Sequence, residues 1–278
     1  MKSLRTWIIL LINSLVFLVV VTLSIFSYKE FNNALDERVL LQLSSIKKLK
    51  RIQLEAFLQA EMDKFKKQLS LGSADSISDP YSLIAEEVDI QCLQDKLNLI
   101  PNGESFFDIT SCARRGVVKL AMIKKEGNVI QQIQCINSDA IQNILMERTG
   151  MGESGETYLV GRDFRMRSLS RFMPETPPGQ IKASTSGAKY ALQGINGFGI
   201  IDDYRGIAVY SSYHKLDIDN LDWAILSEID VQEVTAPLSI MRNKLFLISF
   251  LVLLFALTFS FLITVVLSKP LLKMRLYL

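Results

Sequence analysis

The sequence is poor in the residues that enzymes use for chemistry. Among its 278 residues there is one histidine, His214, and there are three cysteines, Cys92, Cys112 and Cys135. A single imidazole excludes a histidine-based metal centre, and nothing in the sequence nominates a partner for it. The cysteines show no CxxC spacing, and an odd number allows at most one bridge within the chain, which excludes a disulfide scaffold. The spacing does not say whether any two of them are joined. The stretch "GINGFG" (194–199) lacks the Lys-Ser/Thr of a phosphate-binding loop and reads as a tight turn. "GESGE" has no histidine and aspartate to complete a nucleophile set. Asp202 and Asp203 are the adjacent carboxylates that could serve as an acid–base pair, and neighbours on a strand face opposite sides. The sequence therefore points to no enzyme activity, no cofactor and no metal. A surplus of one sign of charge is also missing: 31 basic against 29 acidic residues give a net charge of +2. A nucleic-acid partner would call for a basic face.

What the sequence does have is apolar length. The mean hydropathy of +0.23 is carried by two uncharged runs, Trp7–Tyr28 and Leu245–Leu267. Each is long enough to cross a hydrocarbon layer of roughly 30 Å as a helix rising about 1.5 Å per residue. The first is longer than the apolar part of a signal peptide and has no Ala-x-Ala site after it, so it reads as a retained anchor. Lys2 and Arg5 precede the first run, and Lys269, Lys273 and Arg275 follow the second. The positive-inside rule then puts both termini in the cytoplasm and the intervening chain outside the inner membrane of a bacterial cell. Arg242 and Lys244, just before the second run, argue weakly the other way.

Between the runs, Leu35, Val39, Leu43, Ile46, Leu49, Ile52 and Ala56, then Leu54, Leu58, Met62, Phe65 and Leu69, recur at helical spacing, with Lys and Arg on the other faces. This predicts a stalk helix over 29–71 whose apolar stripe needs a cover, either its own domain or a second copy of the chain. "GSADSISDPYS" (72–82) ends it. Residues 83–99 read as a short helix, and 105–112, 117–124 and 129–136 as strands. Residues 137–150 read as a capped helix. Strands are expected again at 157–161, 166–171, 207–216 and 222–230, with a mobile Pro/Gly/Ser loop at 172–187 and a glycine-rich turn region at 194–206. A short helix at 231–241 feeds the second run. Helix followed by antiparallel hairpins predicts an α+β fold with no parallel sheet.

"GETYLVGRDFRMRSLSRF" (155–172) places Arg165 and Arg167 on one strand face. Either this is an exposed basic hairpin, or two guanidinium groups converge on a pocket that pairs with carboxylate or phosphate. Polar and aromatic walls would come from Tyr158, Ser168, Ser170, Asp203, Tyr204, Tyr210 and Tyr213.

"ERTGMGESGETYLVGRDFRMRSLSRF", "DYRGIAVYSSYHKL" and "LDWAILSEID" together resemble the membrane-proximal part of Cache domains, the PAS-like extracytoplasmic sensors of bacterial chemoreceptors, histidine kinases and nucleotide cyclases. "SSIKKLKRIQLEAFLQAEMDKFKKQLS" is similar to their long N-terminal helix, and "GVVKLAMIKKEGNVIQQIQCINSDAIQNIL" to the last hairpin of a distal unit. "LSKPLLKMRLYL" resembles the start of a HAMP linker. The resemblance implies a cytoplasmic tail 1–6, a first span 7–28, the stalk 29–71, a reduced distal unit 72–150, a proximal unit 151–241, a second span 245–267 and a linker from 268. It further implies a small-molecule ligand, of anionic type if the arginines hold it, contacted by Tyr158, Arg165, Arg167, Ser168, Ser170, Arg171, Asp203 and Tyr210. Expected partners are the lipid bilayer, a second copy in a homodimer, and a cytoplasmic signalling module supplied in cis or in trans. The amino-acid-binding signature of one Cache group is not found.

Overall fold

A computed structural model describes residues 2–71, 80–81, 84–86, 88–113 and 119–274. The breaker cluster at 72–82 and the start of the strand expected at 117–124 fall largely outside these. The described chain forms two compact units. One joins the ends, Met1–Arg38 with Thr235–Leu278, and the other is Val39–Val234.

Helix α1 runs over Lys2–Ser70 and helix α5 over Val231–Met274. The short helix expected at 231–241 is thus the first part of α5 and not a separate element. Both contain a stretch long and apolar enough to cross a membrane. In the first unit they approach each other where the Ser24 and Ser249 hydroxyls lie 3.1 Å apart.

The second unit is α+β and wholly antiparallel. Strands β1 (Gly103–Asp108), β2 (Leu120–Glu126) and β3 (Val129–Cys135) make a three-stranded meander. Helix α3 (Ser138–Met146) follows, started by the Asn137 side chain accepting from the Asp139 N–H. Strands β4 (Glu156–Gly161), β5 (Gly197–Asp202), β6 (Ala208–Lys215) and β7 (Trp223–Asp230) form a second sheet in the order β4-β7-β6-β5. Helix α4 (Ser186–Leu192) lies between β4 and β5, capped by Thr185.

The sequence-based elements need four corrections. The helix expected at 83–99 shrinks to α2, Ile90–Asp95, and a turn of 3₁₀ helix at 97–99. Val88 is held extended by a bridge to Ala113, so the helix cannot start before the Asp89 carboxylate caps the Gln91 and Cys92 N–H groups. The strand at 105–112 stops at Asp108, whose side chain accepts from the Thr110 N–H and turns the chain into a short 3₁₀ helix. Residues 166–171 are not a strand. The chain reverses tightly after Gly161, with Phe164 at φ 58°, and returns only through isolated bridges at Met166 and Arg165. Last, the glycine-rich 194–206 region contains β5. Pairing with β6 overrides the turn propensity, and Gly197 is needed because a Cβ there would sit 2.8 Å from the Tyr213 hydroxyl.

Leu54, Leu58, Met62 and Phe65 of α1 form one stripe that packs against Phe106, Leu120 and Met122 of the first sheet and Leu159, Trp223 and Ile225 of the second. Two lysines sit on this buried side, where the amphipathic pattern had placed only apolar residues. Lys50 Nζ donates to the carbonyls of Leu145 (2.7 Å) and Glu147 and to Thr157 Oγ1 (3.2 Å), while Lys47 Nζ donates to the Tyr213 carbonyl. Burial lowers the pKa of both to about 8. The free carbonyls at the end of α3 favour a cation there, which holds the ammonium in place. Cys92 and Cys112 form a disulfide joining α2 to the 3₁₀ turn after β1, and Cys135 is free of it.

A polar strut joins the two sheets. Asp108 Oδ2, at the end of β1, accepts from Arg167 Nε at 2.7 Å and from the Trp223 indole at 2.8 Å. Arg167 also pairs with Asp163 at 3.0 Å and lies flat over Gly161, where a Cβ would come within 2.5 Å of its guanidinium carbon. Burial alone would raise the Asp108 pKa. The Arg167 charge and the hydrogen bonds from Thr110, Trp223 and Arg167 outweigh it and leave the carboxyl below its ordinary value. Removing one partner strands the other in the interior. Arg167→Ala and Asp108→Asn should each cost about 3 kcal/mol of folding stability, measured by denaturant unfolding. The strut's contribution is present above the ordinary aspartate pKa and is lost as pH falls through the lowered one, so wild type and D108N should converge in acid. A loss under 1 kcal/mol for both variants would show that the strut is not structural.

Candidate functional site

Strand pairing puts two carboxylates face to face. Glu156 of β4 stands directly opposite Glu228 of β7, and Ser211 of β6 stands opposite Glu228 on its other side. Because alternate residues share a face, Glu156, Tyr158 and Val160 point the same way as Leu226 and Glu228. That face is covered by α4 and the 162–185 segment, through Met166, Ile181, Ala183, Ala188 and Ala191. Both glutamates are buried, at 6% and 3% exposure. Like charges opposite each other across a sheet are destabilising, and burial makes this worse.

The compensation comes from hydroxyls and a backbone N–H, and among the described residues no cation contacts either carboxylate. Glu228 accepts from Tyr158 Oη at 2.9 Å and Ser211 Oγ at 2.8 Å. Glu156 accepts from Tyr204 Oη and from the Arg171 N–H, both at 2.7 Å. Arg205, on the turn between β5 and β6, is taken by Asp203 and Asp230, each at 2.5 Å, and lies over the Phe172 ring at 3.6 Å. Burial pushes Glu228 up to about 7 and raises Glu156 as well. Burial, then the Glu228 charge beside it, pushes the Tyr158 hydroxyl well above its ordinary value. Burial therefore favours the neutral form of Glu228 inside the sheet.

Tyr204 links this cluster to the surface. Its hydroxyl reaches Glu156 and lies 2.6 Å from Ser170 Oγ, and its ring meets Tyr158 edge-on at 5.5 Å. It also lines a cleft of about 440 Å³ with Lys182, Ser184, Thr185, Ser186, Asp202 and Asp203. Tyr204 is thus the side chain shared by the cleft and the carboxylate cluster.

The residues expected to bind a ligand divide into two groups. Tyr158, Ser170, Arg171 and Asp203 gather at the carboxylates. Arg171 contributes its backbone N–H there, while its guanidinium donates to the Gly155 carbonyl. Asp203 caps the turn by accepting from the N–H groups of Arg205 and Ile207. Arg165, Arg167, Ser168 and Tyr210 lie elsewhere. Arg165 donates to the carbonyls of Gly179 and Gln180, and Ser168 Oγ accepts from the Leu159 N–H. Arg167 belongs to the strut between the sheets. Its guanidinium is already paired with Asp108 and Asp163. With no strand at 166–171, the alternation that would aim Arg165 and Arg167 into one pocket is absent. Tyr210 is buried on the opposite sheet face, since its neighbour Ser211 is the residue aligned with Glu228.

Sequence reasoning missed Glu156, Glu228, Ser211 and Arg205. One signal was present. In "DWAILSEID" the glutamate falls on the same parity as Ala224 and Leu226, and an acid on an otherwise apolar strand face is a buried polar group that needs a reason.

No protein-family model matches the chain, and no curated protein matches it. Among solved structures it is similar to the extracellular domain of a protein described as a histidine kinase, rpHK1S-Z16, at a TM-score of 0.46 and 11% identity over 71% of this chain and 97% of that one. It is also similar to the ligand-binding domain of the Pseudomonas fluorescens chemoreceptor CtaA in complex with L-serine, at 0.43 and 10% over 70% and 98%. A third is the ligand-binding domain of the Pseudomonas aeruginosa PAO1 amino acid chemoreceptor PctB in complex with L-Gln, at 0.44 and 11% over 70% and 92%. All three are extracellular or ligand-binding domains, the class to which the Cache resemblance points. Likenesses at this level carry no argument about a ligand or its site.

The raised Glu228 pKa has a signed consequence. The neutral acid is favoured in the folded chain, so its contribution is intact below the ordinary glutamate value of about 4.5 and is lost as pH rises to about 7. Glu228→Gln keeps the neutral shape and removes the titration. Its melting temperature should equal or fall below that of wild type at pH 4.5 and exceed it by several degrees at pH 8. Parallel pH profiles for the two proteins would show that Glu228 does not ionise in this range.

Proposed function

We propose that this chain is a two-pass receptor of the bacterial inner membrane. In this reading the unit Val39–Val234 lies outside that membrane, both termini lie in the cytoplasm, and the outer unit binds a small molecule at the Tyr204 cleft. The observation that carries the proposal is the buried Glu156–Glu228 pair. It is a costly arrangement for structure alone, and it lies beside a cleft and just before the second apolar helix. Strand β7 runs directly into α5. Glu233, in the first turn of α5, accepts from the N–H groups of Glu153 and Ser154 at 2.8 and 2.7 Å, in the turn that leads into β4. Any change in how β4 and β7 sit at the glutamates is therefore felt at the start of α5. A ligand that binds one arrangement better than the other shifts the balance between them by its difference in affinity. A cytoplasmic signalling module, in cis or in trans, would read the result. Of the residues expected to bind a ligand, Asp203 lines this cleft, while Tyr158, Ser170 and Arg171 lie behind it at the carboxylates.

The disulfide supports the placement, because such bonds persist in oxidising compartments. The homodimer rests on α1, which exposes Leu41, Leu49 and Ile52 on the side away from its buried stripe. In membranes, Leu49→Cys should then form a disulfide-linked dimer on mild oxidation. A monomer under the same conditions removes the stalk interface.

Two measurements test the reading. Protein taken from membranes without reductant and then unfolded should show one titratable thiol, Cys135, and three after reduction; three from the outset would put the unit in a reducing compartment. The full chain in nanodiscs, heated with panels of amines, amino acids and carboxylates, should be stabilised by one chemical class, by about 2.7 kcal/mol at a hundredfold excess over Kd. Tyr204→Phe should weaken that effect. Stabilisation by none of the panels, with intact folding, would favour a partner-binding protein without a small ligand.

A further inference from the structure

Between α1 and α5 in the first unit lies a groove of about 800 Å³. Its walls are apolar: Phe17, Val20 and Val21 on one helix face Leu245, Phe246 and Leu253 on the other. The Ser24–Ser249 contact pins the helices together within it. At one end the lining changes character and consists of Tyr28, Lys29 and Arg242. No acidic side chain lines the groove, and among the described residues neither cation makes an ion pair.

We infer that this groove is a site for one anionic phospholipid, with an acyl chain between the helices and the headgroup phosphate on Lys29 and Arg242. The inference rests on the membrane-spanning reading of the two helices. Three features support it. From Phe17 to Lys29 the helix rises about 18 Å, close to the roughly 15 Å depth of one leaflet's hydrocarbon. An apolar groove that ends in two converging cations matches a lipid with a negative headgroup, and Arg offers phosphate a two-pronged donor. Tyr28 is the kind of side chain that settles at the headgroup level, with its ring in the apolar zone and its hydroxyl outside. The arrangement also accounts for Arg242, which sits on the wrong side of the second span for the positive-inside rule and so has no role in orienting the chain.

The full chain is reconstituted into liposomes of phosphatidylcholine and phosphatidylglycerol, subjected to alkaline carbonate extraction, and then transferred to detergent so that bound lipid can be counted by native mass spectrometry. Wild type should stay in the bilayer and retain phosphatidylglycerol in preference to phosphatidylcholine. The double variant Lys29→Gln, Arg242→Gln should lose that preference by roughly thirty-fold, since each basic group near an anionic lipid contributes a factor of about five. Val20→Trp, which fills the groove away from the cations, should reduce retention of both lipids. Equal retention of the two lipids by wild type, or an unchanged preference in the double variant, overturns the proposal. Complete disulfide linking of two copies through Val21→Cys also overturns it, because a second chain then fills the groove. Release of the chain by carbonate removes the spanning helices and the lipid site together. Retention in the bilayer without lipid preference removes the lipid site alone.

Discussion

Leu54, Leu58, Met62 and Phe65 occupy one side of α1 at steps of four, four and three residues, and all four are buried. A fully buried side chain of this size contributes roughly 1.5–3 kcal/mol, so the stripe contributes heavily to the stability of the second unit. Its position matters as much as its size. Both sheets contribute to the same cluster, so neither can bury its inner face without the helix. The Asp108 strut and the two lysines then fix how the sheets and α3 are set on that helix. Their polar groups would be stranded by any other docking.

The inner face of the second sheet packs on α1, and the outer face, packed beneath α4 and the 162–185 segment, carries more than apolar contacts. It carries carboxylates. Two glutamates meet across β4 and β7, held by tyrosine and serine hydroxyls that can donate to an ionised acid or accept from a neutral one. A cation in contact would have fixed the charge; hydroxyls leave it adjustable. The turn at Ser154 and the first turn of α5 lie a few residues from this pair along both strands, joined where Glu233 accepts from the Glu153 and Ser154 N–H groups.

Much of the architecture is legible in the residues. The two lipid-length helices follow from uninterrupted apolar runs, α1 from its three-and-four spacing, and β3, β4, β6 and β7 from alternation between turn signals. The candidate site is much less legible. Arginines draw attention in a sequence because they are charged, yet Arg165 and Arg167 spend their donors on carbonyls and on Asp108 and Asp163. Glu156 and Glu228 look like ordinary surface residues until the register pairs them. The strand β5 was hidden by its glycines, of which Gly197 makes room for Tyr213 instead of making a turn.

Periodicity and hydropathy are local properties, so the sequence by itself determined the class of each long element, the α+β character and the two apolar helices. Which carboxylates face each other, which cysteines join, and which cations are already neutralised depend on contacts between residues far apart in the chain. Glu156 and Glu228 meet through strand pairing, Cys92 and Cys112 through the docking of α2 beside β1, and Arg167 and Asp108 through the joining of two sheets on one helix. Only the tertiary structure decided these, because a buried charge takes its meaning from its neighbours and the sequence does not say who they are.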